Sequence, residues 1–258
     1  MLSERLKEQV TKKSFPGAGA VGNRTRAYLT RRLVAEMLGS LLLAATVIGS
    51  GVMAERLADG NTAVALLANT GATVAVLGVL IALFAPLSGA HFNPAVSLIQ
   101  ALRKMMSWRE AGLYVLAQII GCCLGAFLAH AMFDLPLLQS SLHVRAGPAQ
   151  WLSEAVATFG LLLVILGYTH KRDAHWIVAC WIGAAYWFTA STSFANPAIT
   201  IARSLSDTFA GIRPQDAPAF VVAQLAGALA GYYVAHSLFT PAAETVRPYQ
   251  KTSSRLLE

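Results

Sequence analysis

Long apolar runs separated by short polar connections dominate the chain from residue 33 onward. Each of six such runs comes close to the ~20 residues that a helix needs to cross the hydrocarbon core of a bilayer. The six apolar segments cover residues 33–53, 62–84, 110–133, 151–169, 175–192 and 217–239. The pattern therefore predicts an all-α membrane protein with six transmembrane helices.

Two shorter apolar pieces, 95–102 and 197–205, follow two copies of the same triplet, Asn93-Pro94-Ala95 and Asn196-Pro197-Ala198. Neither piece could span a bilayer core of about 30 Å as a helix. Asn is a preferred helix N-cap, and Pro suits the first helical position because its missing N–H would be unpaired there anyway. Each triplet therefore predicts a re-entrant half-helix that starts inside the membrane.

The order of polar residues in the first half recurs in the second half. Glu36 and Glu154 open the first and fourth apolar segments, and Gln118 and Gln224 lie in the third and sixth. Three spans are an odd number, so the second repeat must be inverted relative to the first, a plan common in channels and transporters. We expect repeats of about 31–134 and 150–240 within a domain at 31–240. The flanking tails are 1–30, expected to be a disordered cytoplasmic tail, and 241–258.

Composition and charge agree with a membrane protein. The chain is 55% hydrophobic and only 13% charged. With six spans, sixteen of the 20 Lys and Arg residues fall on the side of the two termini, which predicts cytoplasmic termini in the cell membrane. This topology accounts for the basic charge, and no nucleic-acid partner is expected. The three cysteines lie in apolar segments, which favours small buried thiols over a disulfide framework.

An inverted pair of half-helices brings two helix N-termini together near the membrane midplane. Each end presents unpaired N–H groups and a partial positive charge. If Asn93 and Asn196 cap their helices with the side-chain oxygen, their NH₂ groups are expected to face a cavity. A neutral solute could accept hydrogen bonds there, whereas a cation would meet two positive ends. The alternative is a pair of buried helix breaks without a pore.

The stretch Ser88-Gly89-Ala90-His91-Phe92-Asn93-Pro94-Ala95-Val96, with the second triplet and the two Glu residues, resembles the aquaporin, or major intrinsic protein, family. The resemblance covers residues 31–240. It implies an aquaporin-like fold with a pore in each subunit of a homotetramer in the lipid bilayer. It also implies passive diffusion of water or small uncharged solutes, with neither cofactor nor catalysis.

The resemblance also assigns roles to three titratable residues. Glu36 and Glu154 are expected to accept hydrogen bonds from the half-helix loops, with a proton relay as the alternative. His91 is expected in the inner vestibule, with a packing histidine as the alternative. No metal site is predicted around His91, because no ligand-type side chains lie at suitable spacing.

The chain departs from the family at the outer constriction. Most members have Arg directly after the second triplet, where this chain has Ile199. Counting from the triplets gives Thr73, Ala184 and Ser193 as the other constriction residues, so we expect a wide and mildly polar opening. Arg203 lies one helical turn beyond Ile199 and is expected in the outer vestibule or, alternatively, in the solvated interface.

A hydrophobic residue in place of that Arg resembles the bacterial aquaglyceroporin branch linked to arsenic resistance. It implies glycerol, arsenite or methylated arsenicals as solutes. The alternatives are a mainly water-conducting aquaporin and an inverted-repeat secondary transporter, for which only the two Glu residues could couple ions. An enzyme is not expected, because the sequence has no nucleophile–base grouping or nucleotide-binding loop.

Overall fold

A computed structural model describes residues 18–168, 170 and 172–239 of the chain. All regular secondary structure in these residues is helical, which confirms the predicted all-α class. Residues 1–17 of the predicted N-terminal tail (1–30) and the whole predicted C-terminal tail (241–258) lie outside the described residues. The eight helices are α1 (Ala18–Leu57), α2 (Thr62–Ser88), α3 (Pro94–Leu102), α4 (Trp108–Met132), α5 (Pro148–Gly167), α6 (Ala174–Phe188), α7 (Pro197–Ser204) and α8 (Ala217–Phe239).

Among the described helices, α1, α2, α4, α5 and α8 are long and apolar enough to cross a membrane. Helix α6 is apolar but has only 15 residues, so the prediction that this helical segment extends to residue 192 is wrong. It ends at Phe188 because Thr189 adopts an extended backbone (φ −107°, ψ 141°). The chain then returns along 192–196 without helix to the second Asn-Pro-Ala triplet.

Helix α1 begins well before the first membrane-spanning segment. The backbone is helical from Ala18, so the expectation of a disordered tail is wrong for residues 18–30. Four of the nine residues 24–32 are Arg, a good helix former, and the segment continues directly into the apolar span. Because the helix runs continuously into the apolar span, it needs no N-cap residue at the start of that span.

The two repeats, α1–α4 and α5–α8, are held by equivalent helix crossings. In each repeat the first helix packs along the last one, α1 on α4 and α5 on α8. A Cβ added at Gly121 would lie 2.3 Å from the carbonyl oxygen of Met37, and one at Gly227 would lie 2.1 Å from that of Ala155. Small residues let helix backbones approach this closely in membranes. The close crossings fix where the Glu-bearing helices stand relative to the half-helices.

These crossings predict that replacing a crossing glycine by a larger residue lowers stability. Gly121→Ala or Gly227→Ala should lower stability by about 1–3 kcal/mol through overpacking. The matched control is Gly112→Ala in α4, where an added Cβ meets nothing within 4 Å. Thermal unfolding in detergent, followed by size-exclusion chromatography, measures both. Equal midpoints for Gly121→Ala, Gly227→Ala and the control would contradict the close backbone crossings.

Candidate functional site

Each half-helix is capped by the Asn of its own triplet. The Asn93 side-chain oxygen accepts a hydrogen bond from the backbone N–H of Ala95 at 2.9 Å. The Asn196 side-chain oxygen accepts from Ala198 N–H at 3.0 Å and from Ile199 N–H at 3.3 Å. Pro occupies the first turn of both helices. The sequence therefore sets the start of each half-helix locally.

The same two amides also join the repeats across the molecule. Asn93 Nδ2 donates to the carbonyl oxygen of Ala195 at 2.7 Å, and Asn196 Nδ2 donates to that of Phe92 at 2.8 Å. The NH₂ groups were expected to face the cavity, but one N–H of each is used in this reciprocal pair. An amide carries two N–H donors, and both Asn side chains line the cavity. One donor per amide is left for a solute.

The loops before the triplets share an unusual backbone. Ala90 and Phe92 in the first loop, and Ser193 and Ala195 in the second, have φ values between 47° and 49°. Placing a non-glycine residue in this left-handed region costs roughly 1–2 kcal/mol of conformational free energy. The strained residues occupy equivalent places, three residues and one residue before each capping Asn. Something outside the loops must stabilise this conformation.

The Glu36 carboxylate binds the first loop. Oε1 accepts hydrogen bonds from Ser88 Oγ at 2.6 Å and from His91 N–H at 3.0 Å. Oε2 accepts from Phe92 N–H at 2.7 Å and from Gln118 Nε2 at 2.8 Å. The side chain is completely buried, and four donors compensate for its removal from water.

Glu154 binds the second loop in the same way. Oε1 accepts from Phe194 N–H at 2.8 Å, and Oε2 accepts from Ala195 N–H at 2.9 Å. Gln224 Nε2 donates to the same Oε2 at 2.6 Å. Glu36 and Glu154 do not line the cavity in the described part of the chain. This is the geometry that a structural-support role requires, and it leaves neither carboxylate facing the cavity.

A cavity of about 320 Å³ runs between the two repeats. Its walls are mostly aliphatic, and a stripe of polar groups follows the two loops. Among the described residues that line it, none is Asp, Glu or Lys. The predicted site residues that line it are His91, Asn93, Thr73, Ser193, Asn196, Ile199 and Arg203. The remaining triplet residues, Pro94, Ala95, Pro197 and Ala198, are buried in the first turns of the half-helices.

His91 both lines the cavity and is tied to the protein. Its Nδ1 lies 3.1 Å from Ser97 Oγ, and its ring centroid lies 5.3 Å from that of Tyr114. The two interpretations of this residue are thus compatible, since one ring nitrogen is bound while the ring faces the cavity. The structure describes no group of three or more His, Cys, Asp or Glu that could hold a metal ion.

The structure does not place Ala184 at the constriction. Its side chain lies on the exposed face of α6, whereas Val178, Ile182 and Tyr186 line the cavity. Counting back from the triplet fails because the chain leaves the helix at Phe188 and turns before Asn196. The spacing of 178, 182 and 186 is one helical face, and that pattern could have identified Tyr186. The Tyr186 hydroxyl lies 3.4 Å from Thr73 Oγ1.

Two arginines meet beside the Phe194 ring, at one end of the cavity. Arg203 is buried, lines the cavity and stacks on the Phe194 ring. Arg145, from the loop before α5, lies over the same ring, with Cζ 5.1 Å from the centroid. Burial lowers the pKa of Arg145 to about 10, so it stays cationic at neutral pH. Nothing in the sequence pattern identified Arg145, because a loop arginine carries no periodicity.

Comparison with known proteins places this geometry among related channels. The family model described as "Major intrinsic protein" matches residues 23–189. Aquaglyceroporin AqpS of Rhizobium meliloti (strain 1021) is 54% identical over 221 residues, which cover 85% of this chain and 94% of that protein. A probable glycerol uptake facilitator protein of Thermotoga maritima is 28% identical over 169 residues, covering 60% of this chain and 71% of that protein.

The X-ray structure of the aquaglyceroporin from Plasmodium falciparum superposes with a TM-score of 0.59 at 21% identity. The match covers 81% of this chain and 94% of that chain. At this identity the likeness establishes a shared fold. It confirms the predicted arrangement of membrane helices and half-helices.

The carboxylate contacts predict that both Glu residues matter for folding. Glu36→Ala or Glu154→Ala should reduce the yield of folded protein, since each orphaned buried N–H costs about 1–3 kcal/mol. Glu55→Ala is the control, because Glu55 is exposed near the end of α1. Fluorescence-detected size-exclusion chromatography gives the folded yield, and flux per folded channel gives activity. Normal folding of a Glu36 or Glu154 variant with an altered pH dependence of flux would instead indicate a titrating role.

Proposed function

The chain belongs to the major intrinsic protein family, and from that membership we propose that its cavity is a passive pathway for water and small uncharged solutes. It is a multi-pass membrane channel and not an enzyme, as its relatives and fold are those of channels. The observation that carries the proposal is the cavity between the two half-helix N-termini. Its aliphatic wall, polar stripe and lack of lining carboxylates among the described residues suit neutral solutes with hydroxyl groups.

Glycerol and neutral metalloid hydroxy acids, such as arsenite or methylated arsenicals, are the proposed solutes beyond water. Ile199 supports this assignment, because it presents a short apolar side chain to the cavity directly after the second triplet. Thr73, Tyr186 and Ser193 contribute hydroxyl groups to the same cavity. The 54% identical relative is named an aquaglyceroporin, which favours glycerol-sized solutes over water alone.

The contacts of Glu36 and Glu154, the candidates for coupling an ion to transport, argue against a secondary transporter. Both oxygens of Glu36 and of Glu154 accept hydrogen bonds from loop N–H groups and a Gln amide. A coupling ion would need such carboxylates beside the solute. The structure instead uses them to hold the backbone.

Orientation and assembly belong to the same proposal. The distribution of Lys and Arg supports cytoplasmic termini, and an epitope inserted between Gln139 and Gly147 should then be accessible from outside intact cells. External accessibility of a terminal tag instead would contradict this orientation. A homotetramer in the bilayer is proposed from the family, and native mass spectrometry of the detergent-extracted protein tests it.

Replacement of Ile199 tests what sets the size limit. Ile199→Arg should suppress glycerol and arsenite flux while water flux persists, because the longer side chain carries five donors across the cavity. Stopped-flow swelling of proteoliposomes at matched protein density measures all three solutes. The control is Ala184→Phe, which adds bulk on the exposed face of α6 and should leave the solute ratios unchanged.

Equal glycerol and arsenite permeability in wild type and Ile199→Arg would falsify the role of Ile199. A selective loss of glycerol and arsenite permeability in Ala184→Phe would instead indicate that Ala184 lines the pathway.

A further inference from the structure

The outer end of the cavity contains a buried arginine with an unused donor. Arg203 is only 2% exposed, yet it lines the cavity. Its Nε donates to the carbonyl oxygen of Ala210. Its Nη1 has no hydrogen-bond partner among the residues that the structure describes. A buried charged donor is costly to leave unpaired, so this position favours a ligand that accepts a hydrogen bond.

The guanidinium is held rigidly in place. Its Cζ lies 3.3 Å from the centroid of the Phe194 ring, the stacking geometry that arginine favours on aromatic faces. Phe194 is fixed in turn, because its N–H donates to Glu154 Oε1 at 2.8 Å and its ring packs against Phe220 at 5.2 Å. A preorganised donor of this kind loses little entropy when it binds a passing solute.

The positive charge of this cluster is not neutralised by an ion pair. Arg145 lies over the same Phe194 ring, and its guanidinium donates to backbone carbonyls of Gly211, Ser191 and Phe209 at 2.8–3.4 Å. In the part of the chain that the structure describes, the salt bridges are Arg32–Glu110 and Arg213–Asp216, so neither arginine of the cluster takes part in one.

A second unused donor lies in the same cavity. The hydroxyl of Ser193 is buried and has no partner among the described residues. Ser193 lines the cavity directly before Phe194 in the second loop. Ile199, one helical turn deeper than Arg203 on the same helix face, supplies apolar surface. Polar donors and an aliphatic side chain thus share this end of the cavity.

We propose that Arg203 is a second specificity-determining residue, one helical turn beyond Ile199, where it donates to hydroxyl oxygens of passing solutes and, with Arg145, repels cations. This inference rests on the proposed function, namely that neutral solutes pass along this cavity. The chemical class that it selects is small neutral molecules with hydroxyl oxygens. Ile199 offers no cationic hydrogen-bond donor, and Arg203 supplies one a helical turn farther along the cavity.

The experiment separates the charge of Arg203 from the placement of its donors. Arg203→Met removes both, whereas Arg203→Lys keeps the charge and three N–H donors but loses the planar guanidinium that stacks on Phe194. Arg56→Met is the matched control, because Arg56 is an exposed arginine in α1 outside the cavity. Proteoliposomes at matched folded protein density give the water permeability, the glycerol-to-water permeability ratio and the Na⁺ flux.

We expect Arg203→Met to raise Na⁺ flux about tenfold or more, since a unit charge within several ångströms of the pathway strongly opposes a cation. Arg203→Lys should keep Na⁺ excluded but lower the glycerol-to-water ratio by about tenfold, because the shorter ammonium no longer stacks on Phe194 and its displaced donors lose one charge-assisted hydrogen bond to the solute. Arg56→Met should match wild type. Water flux should persist in all variants.

Wild-type Na⁺ exclusion and glycerol ratio in a water-conducting Arg203→Met channel would overturn the inference. If Arg203→Met fails to fold, an unchanged glycerol ratio in Arg203→Lys would overturn it equally. A wild type that passes water but no glycerol would contradict the proposed solute class, and the Na⁺ measurement would still decide the role of Arg203.

Discussion

Two buried carboxylates, Glu36 and Glu154, hold the backbone on which the pore depends. Each half-helix loop contains left-handed non-glycine residues, and each carboxylate accepts two consecutive backbone N–H groups from its loop. Hydrogen bonds to charged groups contribute about 1.5–3 kcal/mol each, which is enough to offset the strain. Without these acceptors the loops would relax, and the half-helix N-termini would no longer meet.

The support network extends from the carboxylates to both ends of the cavity. Gln118 Nε2 joins Glu36 to Ser97 of α3, and Gln224 Nε2 joins Glu154 to Thr200 of α7. Ser97 in turn contacts His91. In the second repeat, Glu154 accepts a hydrogen bond from Phe194 N–H, and the Arg203 guanidinium stacks on the Phe194 ring. The same construction therefore positions the imidazole of His91 in the first loop and the guanidinium of Arg203 at one end of the cavity.

Sequence reasoning was most successful where a local rule fixes the structure. The half-helix starts followed from Asn-Pro capping, and the recurring Glu and Gln positions followed from the internal repeat. It failed at Ala184, because the turn after Phe188 cannot be inferred by counting residues. It also missed the Gly121 and Gly227 crossings and the position of Arg145, since these depend on which surfaces meet in three dimensions. The crossed bonds from the Asn amides likewise required the assembled repeats.

In a fixed pathway of this kind, the polar groups that contact the solute are held in place by the protein and do not move as the site of a carrier does. Such a pathway predicts that glycerol flux through reconstituted wild-type protein rises linearly with the glycerol gradient and is independent of Na⁺ and H⁺ gradients. Tracer uptake over a wide concentration range, with and without imposed ion gradients, measures this directly. Saturating flux that an ion gradient can drive uphill would contradict the channel.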